Sequence, residues 1–227
     1  MNMPFYVAPE QMMKDRADYA RKGIARGRSL AATVYDDGVL ICAENPSSTL
    51  RKISEIYDHI AFAGVGKYNE FDQLRIAGVR HADLKGFAYS RADVDARSLA
   101  NQYAQILGQT FTHEMKPMEV EILVAEIGDE AGAEQMFHIL YDGTVDDTDS
   151  FAVLGGEADT IAERIGTSFD RTRSLRDAVR ASVGALAGEE RQLAPGDLEV
   201  AVLARSAGRR AFRRLGDDEL AGFLADG

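Results

Sequence analysis

The sequence predicts an α+β fold in which two antiparallel sheets are stacked and covered by helices on both outer faces, with a further helix ahead of the first strand. Three observations carry this. Strand-like and helix-like segments come in blocks (strands, two helices, strands, two helices, strands) rather than in the alternation that builds a parallel sheet. A hairpin stands near the start, Ser29 to Tyr35 and Val39 to Ala43 around Asp36-Asp37-Gly38, and Asp-Gly is turn chemistry that joins antiparallel strands. The 227 residues contain five prolines and no Ser/Gly/Pro-rich linker, so residues 1–227 are read as one domain with one substantial core.

The elements follow in order. From Pro9 to Gly23, Met13, Ala17, Ala20 and Ile24 recur at the spacing of one helix face; Pro9 suits the first turn, and Gly23 and Gly27 suit the end. After the hairpin, Ile53 to Tyr57 and Ile60 to Gly64 read as short strands around Asp58-His59. A helix beginning at Gly66 reaches about Leu84, with Tyr68, Phe71, Leu74 and Gly78 on one face. Asp93 to His113 is the next helix, capped by Asp93 or Asp95, with Leu99, Tyr103, Ile106 and Leu107 as its buried stripe. Val120 to Ile127 and Gln135 to Tyr141 are strands of a meander, and Phe151 to Leu154 is a third. Helices at Ala158 to Phe169 and Leu175 to Ala187 precede a last hairpin, Leu198 to Ala204 with Ala211 to Leu215, and a short helix from Asp217.

Charge limits the function. Thirty-seven acidic against 26 basic residues give a formal charge of −11, which argues against nucleic acid or an anionic membrane surface as the main partner. The first residues show neither a basic n-region nor an apolar run of spanning length, so a cytoplasmic location is expected. A lone cysteine, Cys42, leaves no internal disulfide framework and fits a reducing compartment; within a strand of small residues it reads as a core thiol.

Short motifs yield little chemistry. Gly64-Val65-Gly66-Lys67 lacks the phosphate-loop pattern, because Ala61 stands where its first glycine belongs and Tyr68 replaces the hydroxyl after the lysine; it reads as a strand-to-helix turn. His59, His81, His113 and His138 share no ligand spacing, there is no G-x-S-x-G elbow, and no metal or cofactor is called for. Lys14, Arg16, Arg21, Lys22, Arg26 and Arg28 make the first helix locally basic, which reads as a solvated face. Arg205, Arg209, Arg210, Arg213 and Arg214 read as an exposed closing hairpin in an acidic protein rather than a nucleic-acid site. Lys52, by itself, reads as a solvated lysine at a strand edge.

The hairpin with Glu44-Asn45-Pro46 and Arg51-Lys52-Ile53 behind it resembles the opening of proteasome-type subunits of the N-terminal-nucleophile hydrolase fold. Ala8-Pro9-Glu10 through Asp18-Tyr19-Ala20-Arg21-Lys22-Gly23 is similar to the first helix of proteasome α subunits in their actinobacterial form, and the similarity runs from about Ala8 to Leu215. It implies a four-layer αββα sandwich divided into a gating segment 1–8, a helix 9–26 and a core 27–227. Catalytic β subunits of that family expose a threonine at the head of the first strand, whose own α-amino group is the base. That position falls near Arg28 here, and the family's aspartate falls at Glu44. An arginine is no hydroxyl nucleophile, and a chain arriving from a helix offers no free amine there.

The resemblance therefore implies a non-catalytic subunit forming heptameric rings with itself. Such rings cap those of β subunits and regulate the passage of unfolded protein substrates to the buried threonines. Lys52 would line a pocket between neighbouring subunits and hold the terminal carboxylate of a ring-shaped ATPase or other activator, and Gly66 resembles the glycine whose backbone completes that pocket. One such charge-assisted hydrogen bond is worth about 1.5–3 kcal/mol, multiplied around a ring by avidity. Met1, Asn2, Met3, Pro4, Phe5, Tyr6, Val7 and Ala8 would form the gate, although the Tyr-Asp-Arg gating tripeptide of archaeal and eukaryotic relatives is missing. The rival reading is a self-processed hydrolase of the same fold, cleaved near Gly27 so that Ser29 or another residue becomes the terminal nucleophile.

Overall fold

The structure, a computed structural model, describes residues 8–225. Helix α1 (Pro9–Ile24) leads into the hairpin β1 (Leu30–Tyr35) and β2 (Gly38–Glu44), followed by β3 (Ile53–Tyr57) and β4 (Ile60–Gly66). Helices α2 (Tyr68–Ala88) and α3 (Ala96–His113) precede β5 (Val120–Glu126), β6 (Gln135–Ile139), β7 (Val145–Thr148) and β8 (Phe151–Leu154). Helices α4 (Ala158–Ser168) and α5 (Leu175–Ala187), strands β9 (Leu198–Ala204) and β10 (Phe212–Arg214), and helix α6 (Asp217–Leu224) complete the chain.

Two five-stranded antiparallel sheets result, ordered β10-β9-β2-β1-β8 and β3-β4-β5-β6-β7. Strand period two divides each strand's side chains between two cores. From the first hairpin, Leu30, Ala32, Val34, Val39, Ile41 and Ala43 point between the sheets, where they meet Ala61, Ala63, Val65, Leu123 and Ala125. The alternate residues Ala31, Tyr35, Leu40 and Cys42 point outward under Ile161, Val179, Val183 and Leu220 of α4, α5 and α6. Phe62, Ile122 and Val124 face out of the second sheet against Phe71, Leu74, Tyr103 and Leu107 of α2 and α3. Helices thus cover both outer faces, giving the expected four layers, and every residue of β1 and β2 is buried because both faces of that hairpin are covered.

Several boundaries differ from the sequence expectation. Helix α3 starts at Ala96, because the Asp95 carboxylate accepts from the Ser98 N–H at 2.7 Å, while Asp93 belongs to a separate short 3-10 turn, Arg91–Asp93. Helix α2 continues one turn past Leu84, and β4 runs on to Gly66. Strand β7 is unforeseen: Val-Asp-Asp-Thr carries no strand pattern and is held by its pairing with β6, from Met136 opposite Thr148 to Ile139 opposite Val145. Its two aspartates suit an exposed sheet edge, where charge discourages further pairing.

Lys14, Arg21, Lys22, Arg26 and Arg28 are exposed, as a solvated basic face requires, whereas Arg16 is partly buried. The Arg16 guanidinium donates to the Thr110 and Glu114 carbonyls at the end of α3 and lies over the Phe111 ring, and Arg21 lies over Tyr141. Helix ends leave carbonyls without intrahelical partners, and here a neighbouring helix supplies the donor. On the inner side of α1, Ala20 and Ile24 are buried and Ala17 is partly so, closing one end of the inter-sheet core.

Candidate functional site

Antiparallel pairing brings four sequence-distant residues to that same end of the sandwich. Strands β1 and β3 begin there and β2 and β4 finish there, so Arg28, Glu44, Lys52 and Gly66 become neighbours. The Glu44 N–H donates to the Ser29 carbonyl (3.2 Å), and the Gly64 N–H donates to the Lys52 carbonyl (3.0 Å), two residues before Gly66.

Lys52 is half-buried rather than solvated. Its Nζ donates to the Arg28 carbonyl at 2.7 Å and the Glu44 carbonyl at 3.0 Å, reaching from the edge strand of one sheet to both ends of the hairpin in the other. An ammonium has three N–H donors, and the third has no partner among the described residues, so an acceptor from outside can use it. Burial pulls the Lys52 pKa down to about 8, while Glu199 and Glu44 oppose that shift and Arg28 adds to it. Lys52 is therefore mostly charged at neutral pH.

Beneath it lies a carboxylate that sequence reasoning passed over. Glu199 of β9 is 3 % exposed and accepts from the Lys52 N–H (2.8 Å), the Ile53 N–H (3.2 Å), Asn45 Nδ2 (2.8 Å) and Arg214 Nη1 (2.5 Å). One signal was present: Glu199 is the only charge in Leu-Glu-Val-Ala-Val-Leu-Ala.

Gly66 ends β4 with φ +94°, where a Cβ would stand 2.0 Å from the Glu119 carbonyl oxygen. Only glycine makes this turn comfortably, and its backbone lies open to Gly27, which packs beside its N–H. Lys67 then opens α2 by donating its N–H to Glu119 O (2.9 Å), so the glycine-lysine segment is the strand-to-helix turn expected.

Glu44 is 5 % exposed and is held by two guanidiniums: Arg28 Nη1 contacts its Oε1, and Arg191 Nη1 lies 3.2 and 3.1 Å from its two oxygens. Arg191, from the segment after α5, gave no sequence signal linking it to Glu44. A cavity of about 400 Å³ opens here, lined by Arg28, Glu44, Pro46, Arg191, Gln192, Leu193 and Asp197. None of these side chains carries a hydroxyl or thiol. Ser29 is 6 % exposed and sits against Gly155, and Cys42 is fully buried in the outer core, where desolvation pushes its thiol up to about 12.

The remaining sequence candidates fall elsewhere. Of the gate residues, Met1, Asn2, Met3, Pro4, Phe5, Tyr6 and Val7 lie outside the described residues; Ala8 is exposed and extended just ahead of Pro9. Each arginine of the closing hairpin faces a carboxylate: Arg205 faces Glu134, Arg209 and Arg210 face Asp58 and Glu55, and Arg213 and Arg214 face Glu219 and Glu199. That pairing leaves little free charge for a polyanion. Among the described residues, no helix is long and apolar enough to cross a membrane.

The family described as "Proteasome subunit" matches residues 24–203. The protein named "Proteasome subunit alpha" from Acidimicrobium ferrooxidans is 62% identical over 226 residues, covering 100% of this chain and 97% of its own. Proteins of the same name from Nocardioides sp. and Xylanimonas cellulosilytica are 58% and 54% identical, covering 95% of this chain in each case and 86% and 93% of their own. The chain belongs to the proteasome subunit family, among its α subunits of actinobacterial type.

Proposed function

We propose that this chain is the non-catalytic α subunit of a proteasome core. As one proteasome-subunit domain it forms heptameric outer rings, joins rings of β subunits and gates the passage of unfolded substrates. It receives a ring-shaped ATPase or other activator at Lys52 and Gly66. Its place of work is the cytoplasm.

The observation that carries the reading is the head of β1. Where a catalytic member needs a free threonine, this chain has Arg28, tied through Glu44 to Arg191, with its carbonyl occupied by Lys52. The backbone continues through Gly27 into α1, whose Ala20 and Ile24 belong to the inter-sheet core. A cut near Gly27 would detach a helix that the core uses, and the nearest hydroxyl after the cut, Ser29, is buried. The lysine that would assist a nucleophile is instead left with one N–H for a guest carboxylate.

Native mass spectrometry of the purified chain, alone and with its β partner, tests this. Full-length subunits in multiples of seven, with peptidase activity only when β subunits are present, are expected. Subunits shortened to begin near Gly27 and active alone would overturn the reading in favour of the self-processed hydrolase.

A further inference from the structure

The backbone that carries the Lys52 ammonium is held by a buried residue. Glu199 projects from β9 of the first sheet and accepts the backbone N–H groups of both Lys52 and Ile53 in the second. A carboxylate has about four acceptor sites, and here Lys52 N, Ile53 N, Asn45 Nδ2 and Arg214 Nη1 use them. Arg214 also donates to the Ile53 carbonyl, so both polar backbone groups of Ile53 are tied to this cluster. The start of β3, an edge strand, is thereby fixed to the neighbouring sheet at the residue from which Lys52 projects.

From this arrangement we propose that Glu199 is a positioning residue for Lys52: it fixes the backbone that carries the ammonium and places a buried negative charge behind that backbone. The inference rests on the reading of Lys52 as the docking residue. Every charged neighbour bears on it. Glu44, at the end of β2, is shared between Arg28 and Arg191, and Arg28 repels Lys52. Arg214 of β10 is bound to Glu199 itself. The two carboxylates add to the Arg28 and Glu44 carbonyls in offsetting desolvation of the ammonium, and Glu199, first of the two, is the one that also holds the Lys52 backbone.

Two readouts test this on full-length chain assembled with β subunits, with assembly checked by native mass. The first is the pH midpoint of Lys52 acetylation by trace acetic anhydride, measured by peptide mass spectrometry. The second is the pH profile of binding of a fluorescein-labelled Gly/Ser/Leu octapeptide with a free C-terminal carboxylate, set against its C-terminal amide. Glu199→Gln should lower the acetylation midpoint by about one pH unit, which makes Lys52 roughly five-fold more reactive at pH 7, and should move the binding profile the same way. Glu199→Asp keeps the charge on a shorter arm. It should restore the midpoint yet weaken the free-carboxylate peptide several-fold, because one methylene less cannot span both amides.

An unmoved midpoint in assembled Glu199→Gln rings overturns the proposal. Where Glu199→Gln fails to assemble, undiminished peptide binding by Glu199→Asp overturns it. A shifted midpoint without any preference for free carboxylate over amide in the unaltered protein supports the role of Glu199 and removes the docking reading instead.

Discussion

At the scale of single residues, the site turns on how one ammonium is partly desolvated without being neutralised. Burial alone would favour the uncharged amine, and the two carboxylates that oppose this leave Lys52 with a pKa of about 8. A guest carboxylate needs the charged form, so binding should weaken as pH rises through that value, by about tenfold between pH 7 and pH 9 if the ammonium is the sole requirement. Lys52→Glu reverses the charge toward a guest carboxylate and removes the donor to Arg28 O and Glu44 O. It should abolish stimulation of the assembled protease by an activator's C-terminal peptide while heptamers still form; normal stimulation by that variant would remove Lys52 from the site. The sequence named Lys52 only through resemblance. Its real setting depends on Glu44, eight positions before it, and Glu199, 147 positions after it, and no local pattern encodes such a meeting.

At the scale of elements, ends matter more than middles. Asp95 caps α3 through Ser98 N and also meets Lys85 of α2 at 2.8 Å, so one side chain starts a helix and couples it to its neighbour. Burial raises its pKa, but the Lys85 contact and the Ser98 N–H outweigh that and hold the carboxyl below the usual range. A depressed carboxylate contributes stability above its unfolded pKa, about 3.9, and loses it as pH falls through the folded value. Asp95→Ala should therefore cost about 1–2 kcal/mol at neutral pH, read as a lower urea midpoint. The gap from the unaltered protein should narrow as pH is lowered below about 4. Gly66→Ala tests the strand-to-helix turn: a Cβ 2.0 Å from a carbonyl oxygen at φ +94° forces the backbone to shift, and about 1–3 kcal/mol of destabilisation should follow. An alanine tolerated without loss would mean the turn relaxes freely, and Gly66 could not then be read as a rigid edge of the pocket.

Elements were legible where their period was clean. The buried stripes of α3, α4 and α5 were readable because Leu99, Tyr103, Ile161, Ile165, Val179, Val183 and Leu186 repeat at helical spacing and are buried. Helix α2 was cut short because Leu84 and Phe87 near its end are apolar yet exposed, which blurs the buried-face pattern. Strand β7 was invisible because Asp146 and Asp147 disfavour a strand and Val145 and Thr148, although β-branched, flank them without an alternating pattern.

For the whole molecule, the block order of elements was enough to separate this fold from an alternating α/β protein, because strands joined directly by turns pair antiparallel, whereas parallel neighbours need a crossover between them. What it could not give was the packing of α1, which closes the inter-sheet core with Ala20 and Ile24 and braces α3 through Arg16. That packing fixes the start of α1: Ala8 is extended and exposed, and its carbonyl takes the Met12 N–H at 3.1 Å. In the proposed heptamer, seven such points would stand around one axis, and residues 1–8 are the segment proposed to gate it. Deleting residues 1–8 should therefore raise the peptidase rate of the complex assembled with β subunits toward short substrates, and should do so without an activator. The assembly number should not change, because no core contact of α1 is removed. An unchanged rate in intact complexes would show that these residues are not the barrier, and a loss of rings would show that they assemble the subunit instead of gating it.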